Sequence, residues 1–85
     1  MGFTKKEIKI LCFFEHAFDK EKGIDYLLSK GFKKDELITI ISKLKEGNNL
    51  DEVETPNGLM LCTLYINFSI HEFSGMKREF GLAED

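Results

Sequence analysis

Polar and apolar positions follow two different periods along this chain, and the change falls at Gly47. Before that glycine the apolar residues recur every three or four positions, the spacing that gathers them on one face of a helix. Thr4-Lys5-Lys6-Glu7 has the form of a capping box, in which the threonine hydroxyl accepts from one free backbone N–H and the glutamate reaches back to another. A first helix is predicted from there through Phe18, with Ile8, Leu11, Cys12, Glu15 and Phe18 in register and a wide apolar arc completed by Ile10, Phe13, Phe14 and Ala17. The polar run Asp19-Lys20-Glu21-Lys22-Gly23 is read as its end. A short second helix is predicted over Ile24-Asp25-Tyr26-Leu27-Leu28-Ser29-Lys30-Gly31, whose last glycine suits a left-handed C-terminal turn. Phe32-Lys33-Lys34-Asp35-Glu36 then opens a third helix, with Leu37, Ile38, Ile40, Ile41 and Leu44 as its buried face and Gly47 as its stop.

After Gly47 the period shortens. Asn48–Glu54 reads as a short extended arm, Thr55-Pro56-Asn57-Gly58 as a turn, and Leu59–Phe68 as a strand, for which a helix is the competing assignment. Met60, Cys62, Leu64, Ile66 and Phe68 share one face of that strand and are all apolar; Leu59, Leu61, Thr63, Tyr65 and Asn67 share the other. Leu50 and Val53 are three apart and cannot both point inward from a regular strand, so the arm is expected to be short or bulged. Ser69-Ile70-His71-Glu72 repeats the capping signal, and Ile70, Phe73, Met76, Lys77 and Phe80 follow at helical spacing. Residues 81–85 are expected to fray. There is no internal repeat or linker.

This order resembles the winged helix-turn-helix class: Tyr26–Phe32 as the turn region, Leu37–Gly47 as the recognition helix and Leu50–Ile66 as the wing hairpin. The resemblance implies one small α+β domain over residues 1–85, with three helices and a β-hairpin wing in 4–68 and a C-terminal helix in 69–81. It also implies that the third helix enters a DNA major groove, where Lys30, Lys33, Lys34, Thr39, Ser42 and Lys43 would be the contacting residues. That set holds no Arg, Asn or Gln for the bidentate base contacts that discriminate sequence. Asp35 and Glu46 would face the duplex, and the wing brings Asp51, Glu52 and Glu54 where phosphate would repel them.

Charge sharpens that conflict. The chain of 85 residues carries a net −3, but residues 1–46 hold ten lysines against eight acids and residues 47–85 two basic residues against seven acids. A lysine-bearing helical half is thus joined to an acidic hairpin-and-tail half. The length excludes multi-domain machinery, and 42% hydrophobic content with eight Phe excludes a disordered chain. Cys12 and Cys62, fifty positions apart, imply reduced thiols rather than a disulfide scaffold, which together with the missing signal-peptide core and membrane span predicts a cytoplasmic protein. Cys12, His16, Cys62 and His71 lack the paired spacing of zinc ligands, so no metal or other cofactor is expected. Gly23, Gly31, Gly47 and Gly58 are spaced as terminators rather than as a phosphate cradle, and no nucleophile, oxyanion donor or small-molecule cleft is implied. The expectation is a non-catalytic regulatory module that binds a protein partner or a second copy of itself. Such a module suits an inhibitor or adaptor, including the small accessory proteins of phages. Its contact residues are expected to be Asp51, Glu52, Glu54, Leu59, Leu61, Tyr65, Phe73, Met76 and Phe80, with duplex DNA as the alternative partner.

Overall fold

The computed structural model describes residues 2–82, and in it both capping boxes written in the sequence open helices. Helix α1 spans Lys5–Phe13, capped by Thr4 and Glu7 in both directions at 3.2 and 2.7 Å. Helix α4 spans Ile70–Glu79 behind the equivalent Ser69–Glu72 box. Between them lie β1 (Phe18–Asp19), α2 (Lys20–Ser29), α3 (Lys34–Glu46), β2 (Leu50–Thr55) and β3 (Gly58–Thr63). The three strands form an antiparallel sheet in the order β1-β3-β2. The result is an α+β domain with a winged-helix-like layout and an added C-terminal helix.

Three helices end in one device. After α2, α3 and α4 the chain enters the left-handed region at Gly31, Asn48 and Gly81. In each case the N–H of that residue and of the one after it turn back to carbonyls of the last turn: Gly31 to Leu28 and Phe32 to Leu27, Asn48 to Lys45 and Asn49 to Leu44, Gly81 to Arg78 and Leu82 to Lys77. Gly47 does stop α3, as its C-cap, without being the left-handed residue. It keeps an ordinary φ of −82°, and Asn48, whose short amide side chain tolerates that conformation, takes the positive φ of 58°. Gly81 and Leu82 do not fray either, since Leu82 packs on the core; Ala83–Asp85 lie outside the described residues.

The end of α1 is different and earlier than its apolar pattern predicts. The helix stops at Phe13, and β3 supplies what its last carbonyls lack. The Thr63 hydroxyl donates to Leu11 O at 2.6 Å and the Thr63 N–H to Phe14 O at 2.8 Å. Asp19, read as part of a terminator, is instead the N-cap of α2, accepting from Lys22 N–H at 2.8 Å. Gly23 accordingly lies inside a helix. A Cβ there would stand 2.7 Å from two ring carbons of Phe14, so its bareness is what lets α2 close on α1.

The bond from Thr63 also decides which face of β3 is inside. Leu61 and Thr63 point to the helices with Leu50 of β2, while Met60 and Cys62 lie half-buried on the outer face. The uniformly apolar face expected from the sequence is thus the outer one along β3. The strand then ends at Thr63, five residues short of its predicted limit, and neither strand nor helix continues to Phe68. Phe68 reaches the core from a loop instead, against Phe3, Tyr65 and Phe73, while Ile66 stays exposed. No bulge is needed in β2, because Val53 simply faces out. The core is Ile8, Ile10, Leu11 and Phe14 of α1, Leu27, Leu37, Ile41 and Leu44 of α2 and α3, and Leu50, Leu61, Phe68 and Phe73.

Placing a methyl group at residue 23 tests the close approach of α1 and α2. Gly23→Ala should gain about 1 kcal/mol of helix propensity yet lose about 1–3 kcal/mol to overpacking against a buried ring. A lowered urea midpoint with an unchanged slope is the expected result, and a raised midpoint would show that Phe14 has room to move.

Candidate interaction surface

The hairpin gathers most of the acidic arm onto one projecting element. Its turn is set by Pro56 and Asn57 between the paired residues Thr55 and Gly58, with the Thr55 hydroxyl donating to Gly58 O at 2.8 Å. Gly58 has φ 120°, a backbone conformation that side-chain-bearing residues avoid. Along the inner face the helices cover Leu50 and Leu61, but Leu59, one pair nearer the tip, is 39% exposed. On the outer face Val53 is 43% exposed opposite half-buried Met60. Apolar side chains therefore stand open on both sides of the hairpin end, and Asp51 and Glu54 flank them, exposed and in no ion pair among the described residues.

Glu52 behaves differently from its two acidic neighbours. It lies on the inner face, where its Oε1 accepts from Lys20 Nζ of α2 at 2.7 Å and from Lys45 Nζ of α3 at 2.8 Å. Those two bonds outweigh its partial burial and hold its carboxyl below the usual 4.5. Glu52 is thus a tie between the hairpin and both helices, and the surface available to a partner keeps two of the three acids.

The remaining expected contact residues separate by burial. Leu61 and Phe73 are both 0% exposed and belong to the core, so neither can meet a partner. Tyr65 packs edge-on against Phe68 and Phe73, and Met76 and Phe80 are half-buried against the core. Helix α4 docks its apolar stripe through Phe73 on Tyr65 and Phe68, and Lys77 pairs with Glu15 just beyond the α1 end. Ile70, expected within that stripe, is exposed. Glu15 also accepts from the Tyr65 hydroxyl at 3.2 Å. Burial first, then the Glu15 charge and bond and the nearby Cys12 and Cys62 thiols, push the Tyr65 phenol up to about 12.

The lysines expected to meet DNA are exposed but divided. Lys33 and Lys34 begin α3, with Lys34 at a groove toward α2 that also contains Asp19, Glu21 and Asp25. Thr39 and Lys43 line a groove toward α1 beside Asp35 and Glu36, and Lys43 Nζ is held 2.9 Å from Glu7 Oε2. Lys30 lies apart again, over the Tyr26 ring between α1 and α2. Ser42 is exposed on α3. The groove-facing arc thus alternates in sign rather than forming one basic stripe.

Two parts of the surface carried little signal in the sequence. Val53 looked like half of an inward pair, and its exposure follows only from the pairing with Met60. The cluster of Phe13, Phe18 and Tyr26 joins three separate elements, and only the Tyr26–Lys30 spacing of one helical turn hinted at it. Cys12 and His16 border a cleft between α1 and α4, whereas Cys62 stands on β3. Among the described residues no three His, Cys, Asp or Glu side chains are placed to hold a metal ion, and no helix is long and apolar enough to cross a membrane. No protein-family model, curated protein or solved structure matches the chain.

Two titrations test this arrangement. Because the folded-state pKa of Glu52 is depressed, its stabilisation is full above its ordinary 4.5 and is lost as pH falls through the lower folded value. Glu52→Gln should therefore lower the melting temperature at neutral pH and flatten its fall in acid. Tyr65 has the opposite sign: its neutral form is favoured on folding, so that stabilisation is full below pH 10.0 and disappears as pH rises through about 12. Tyrosinate absorbance of the folded protein should show a step near pH 12 that Tyr65→Phe removes; its survival in that variant would refute the assignment.

Proposed function

We propose that this chain is a non-catalytic binding module of the cytoplasm, an inhibitor or adaptor that holds a protein partner with its hairpin. The observation that carries this reading is the simultaneous exposure of Val53 and Leu59 beside the carboxylates of Asp51 and Glu54, which are in no ion pair among the described residues. Apolar anchors ringed by charge are the composition of a protein contact, in which burial supplies affinity and the charges select and steer. Two acids along the hairpin, Asp51 and Glu54, favour a partner surface rich in Lys or Arg. The hairpin is also pre-organised, since Glu52 ties it to α2 and α3 and a partner need not order it.

The competing reading is duplex DNA held through α3. It draws on the resemblance to the winged helix-turn-helix class and on the exposure of Lys33, Lys34, Thr39 and Ser42. Against it stand the acids interleaved with those lysines and the sign of the wing, which phosphate would repel.

Capture with the intact protein from its native host, with and without nuclease, followed by titration of the recovered partner, separates the readings. A protein should be retained after nuclease, and Val53→Asp combined with Leu59→Asp should weaken it at least tenfold, roughly the loss expected when an apolar anchor is removed. Both side chains are exposed, so the fold should be unaffected by circular dichroism. Lys33→Glu with Lys34→Glu should leave partner affinity within about twofold, as for residues outside a contact. Binding of a labelled duplex at physiological salt that those lysine changes abolish, with no retained protein, would replace the proposal by the DNA reading.

A further inference from the structure

Away from the hairpin, α1 and α2 enclose a groove of about 440 Å³ whose floor is Leu27, Phe13 and Phe32 and whose rim carries Tyr26, Lys9 and Lys30. Its chemistry sets it apart. Four other grooves among the described residues each contain carboxylates, from Glu7, Asp35 and Glu36 between α1 and α3 to Glu15 between α1 and α4, but none of the described carboxylates lines this one. Neither Lys9 nor Lys30 is in an ion pair among the described residues. An overall acidic chain thus keeps one locally basic, apolar concavity.

The aromatic residues around it are held in place although they face water. Tyr26 is 47% exposed and Phe18 40%, and Phe13 joins them, stacked on Tyr26 at 5.0 Å and edge-on to Phe18 at 5.4 Å. Phe13 in turn stands edge-on to the buried ring of Phe14 at 5.0 Å. Rings fixed in this way lose little freedom when a ligand covers them. The volume falls within the range of ligand pockets, with room for one large side chain and its immediate flanks.

We propose that this groove is a second docking site, which takes an acidic peptide segment that inserts one large apolar or aromatic side chain. Leu27, Phe13 and Phe32 receive the anchor, and Lys9 and Lys30 meet carboxylates on either side of it. Single-stranded nucleic acid shares the negative charge but fits less well. It needs open ring faces for its bases, whereas the Tyr26 ring already holds Phe13 stacked on it and the Lys30 ammonium 5.3 Å from its centre. A chain with an acidic hairpin at one place and a basic groove at another can bridge two partners of opposite charge. The groove assignment nonetheless stands independently of the hairpin.

The test uses the full chain and a fluorescein-labelled peptide, Gly-Asp-Glu-Asp-Phe-Glu-Asp-Glu-Gly, read by anisotropy at physiological salt. Controls are the same peptide with Ser in place of Phe and a ten-nucleotide oligodeoxythymidylate. Binding of the Phe peptide should weaken about tenfold on loss of the anchor, on Tyr26→Ser, and on Lys9→Glu with Lys30→Glu. Glu79→Gln, on the exposed end of α4, should leave it unchanged, as should Val53→Asp with Leu59→Asp. Amide shift mapping on the unmodified protein should place the perturbation at Lys9, Phe13, Tyr26 and Lys30, which keeps the test valid should a variant misfold. Equal binding of the Phe and Ser peptides, no binding at millimolar peptide, perturbation elsewhere, or tighter binding of the oligonucleotide lost by the same substitutions would each overturn the proposal.

Discussion

A helix that ends inside a protein leaves carbonyl oxygens that water cannot reach, and this chain meets that need at the end of α1 with a single residue of β3. Thr63 donates its hydroxyl to Leu11 and its N–H to Phe14, which ties strand to helix at two adjacent points. Because side chains alternate along a strand, fixing Thr63 inward fixes every other residue of β3 and, through the pairing, of β2. Leu61 and Leu50 are thereby assigned to the core, and Met60 and Val53 to the outer face. A register one residue away would bury Met60 and Val53 and expose Leu61. The surface assigned here to a partner is thus a consequence of how α1 is terminated.

The same junction explains the economy of the helical half. Phe14 gives its carbonyl to Thr63 and its ring to the space left by the missing side chain of Gly23, so one residue brings β3 and α2 together on α1. Glu7 is comparably placed. It completes the α1 capping box and also takes Lys43 of α3, at 4% exposure. Burial alone would raise its carboxyl, but the Thr4 N–H, the Lys43 ammonium and the Thr4 hydroxyl together lower it. The pairs Lys43–Glu7, Lys20–Glu52 and Lys45–Glu52 each join different elements, and charge of one sign on the helices is thus used up by charge of the other on its neighbours.

What is left over after those pairings gives the protein its outward character. Asp51 and Glu54 remain on an edge strand, where charge also discourages unwanted pairing with other strands. Lys9 and Lys30 remain beside an aromatic groove between α1 and α2. A winged-helix-like layout is usually read as a DNA-binding surface, but the sign and distribution of unpaired charge, rather than the order of elements, decide what a surface can approach. Here both leftover surfaces combine charge with exposed apolar side chains, a pairing that suits protein segments better than a uniformly charged duplex.

Much of the fold was legible in the residues themselves. Both capping boxes, the α3 span, the hairpin turn, the α+β class and the split of charge all follow from local chemistry, because a cap, a turn or an amphipathic face is settled within a few positions. The misread features have one cause in common. The early end of α1, the two-residue β1, the inward face of β3 and the loop position of Phe68 each depend on a partner far along the chain, from Thr63 with Leu11 to Phe68 with Phe3. The candidate surface divides in the same way. Its charge and its apolar residues were visible in order, but which of Leu59 and Leu61, or of Leu50 and Val53, would face water was decided by the register of β3. Local propensity determines what each segment can become; burial and the satisfaction of polar groups, which require the whole chain, determine which side of it is left to act.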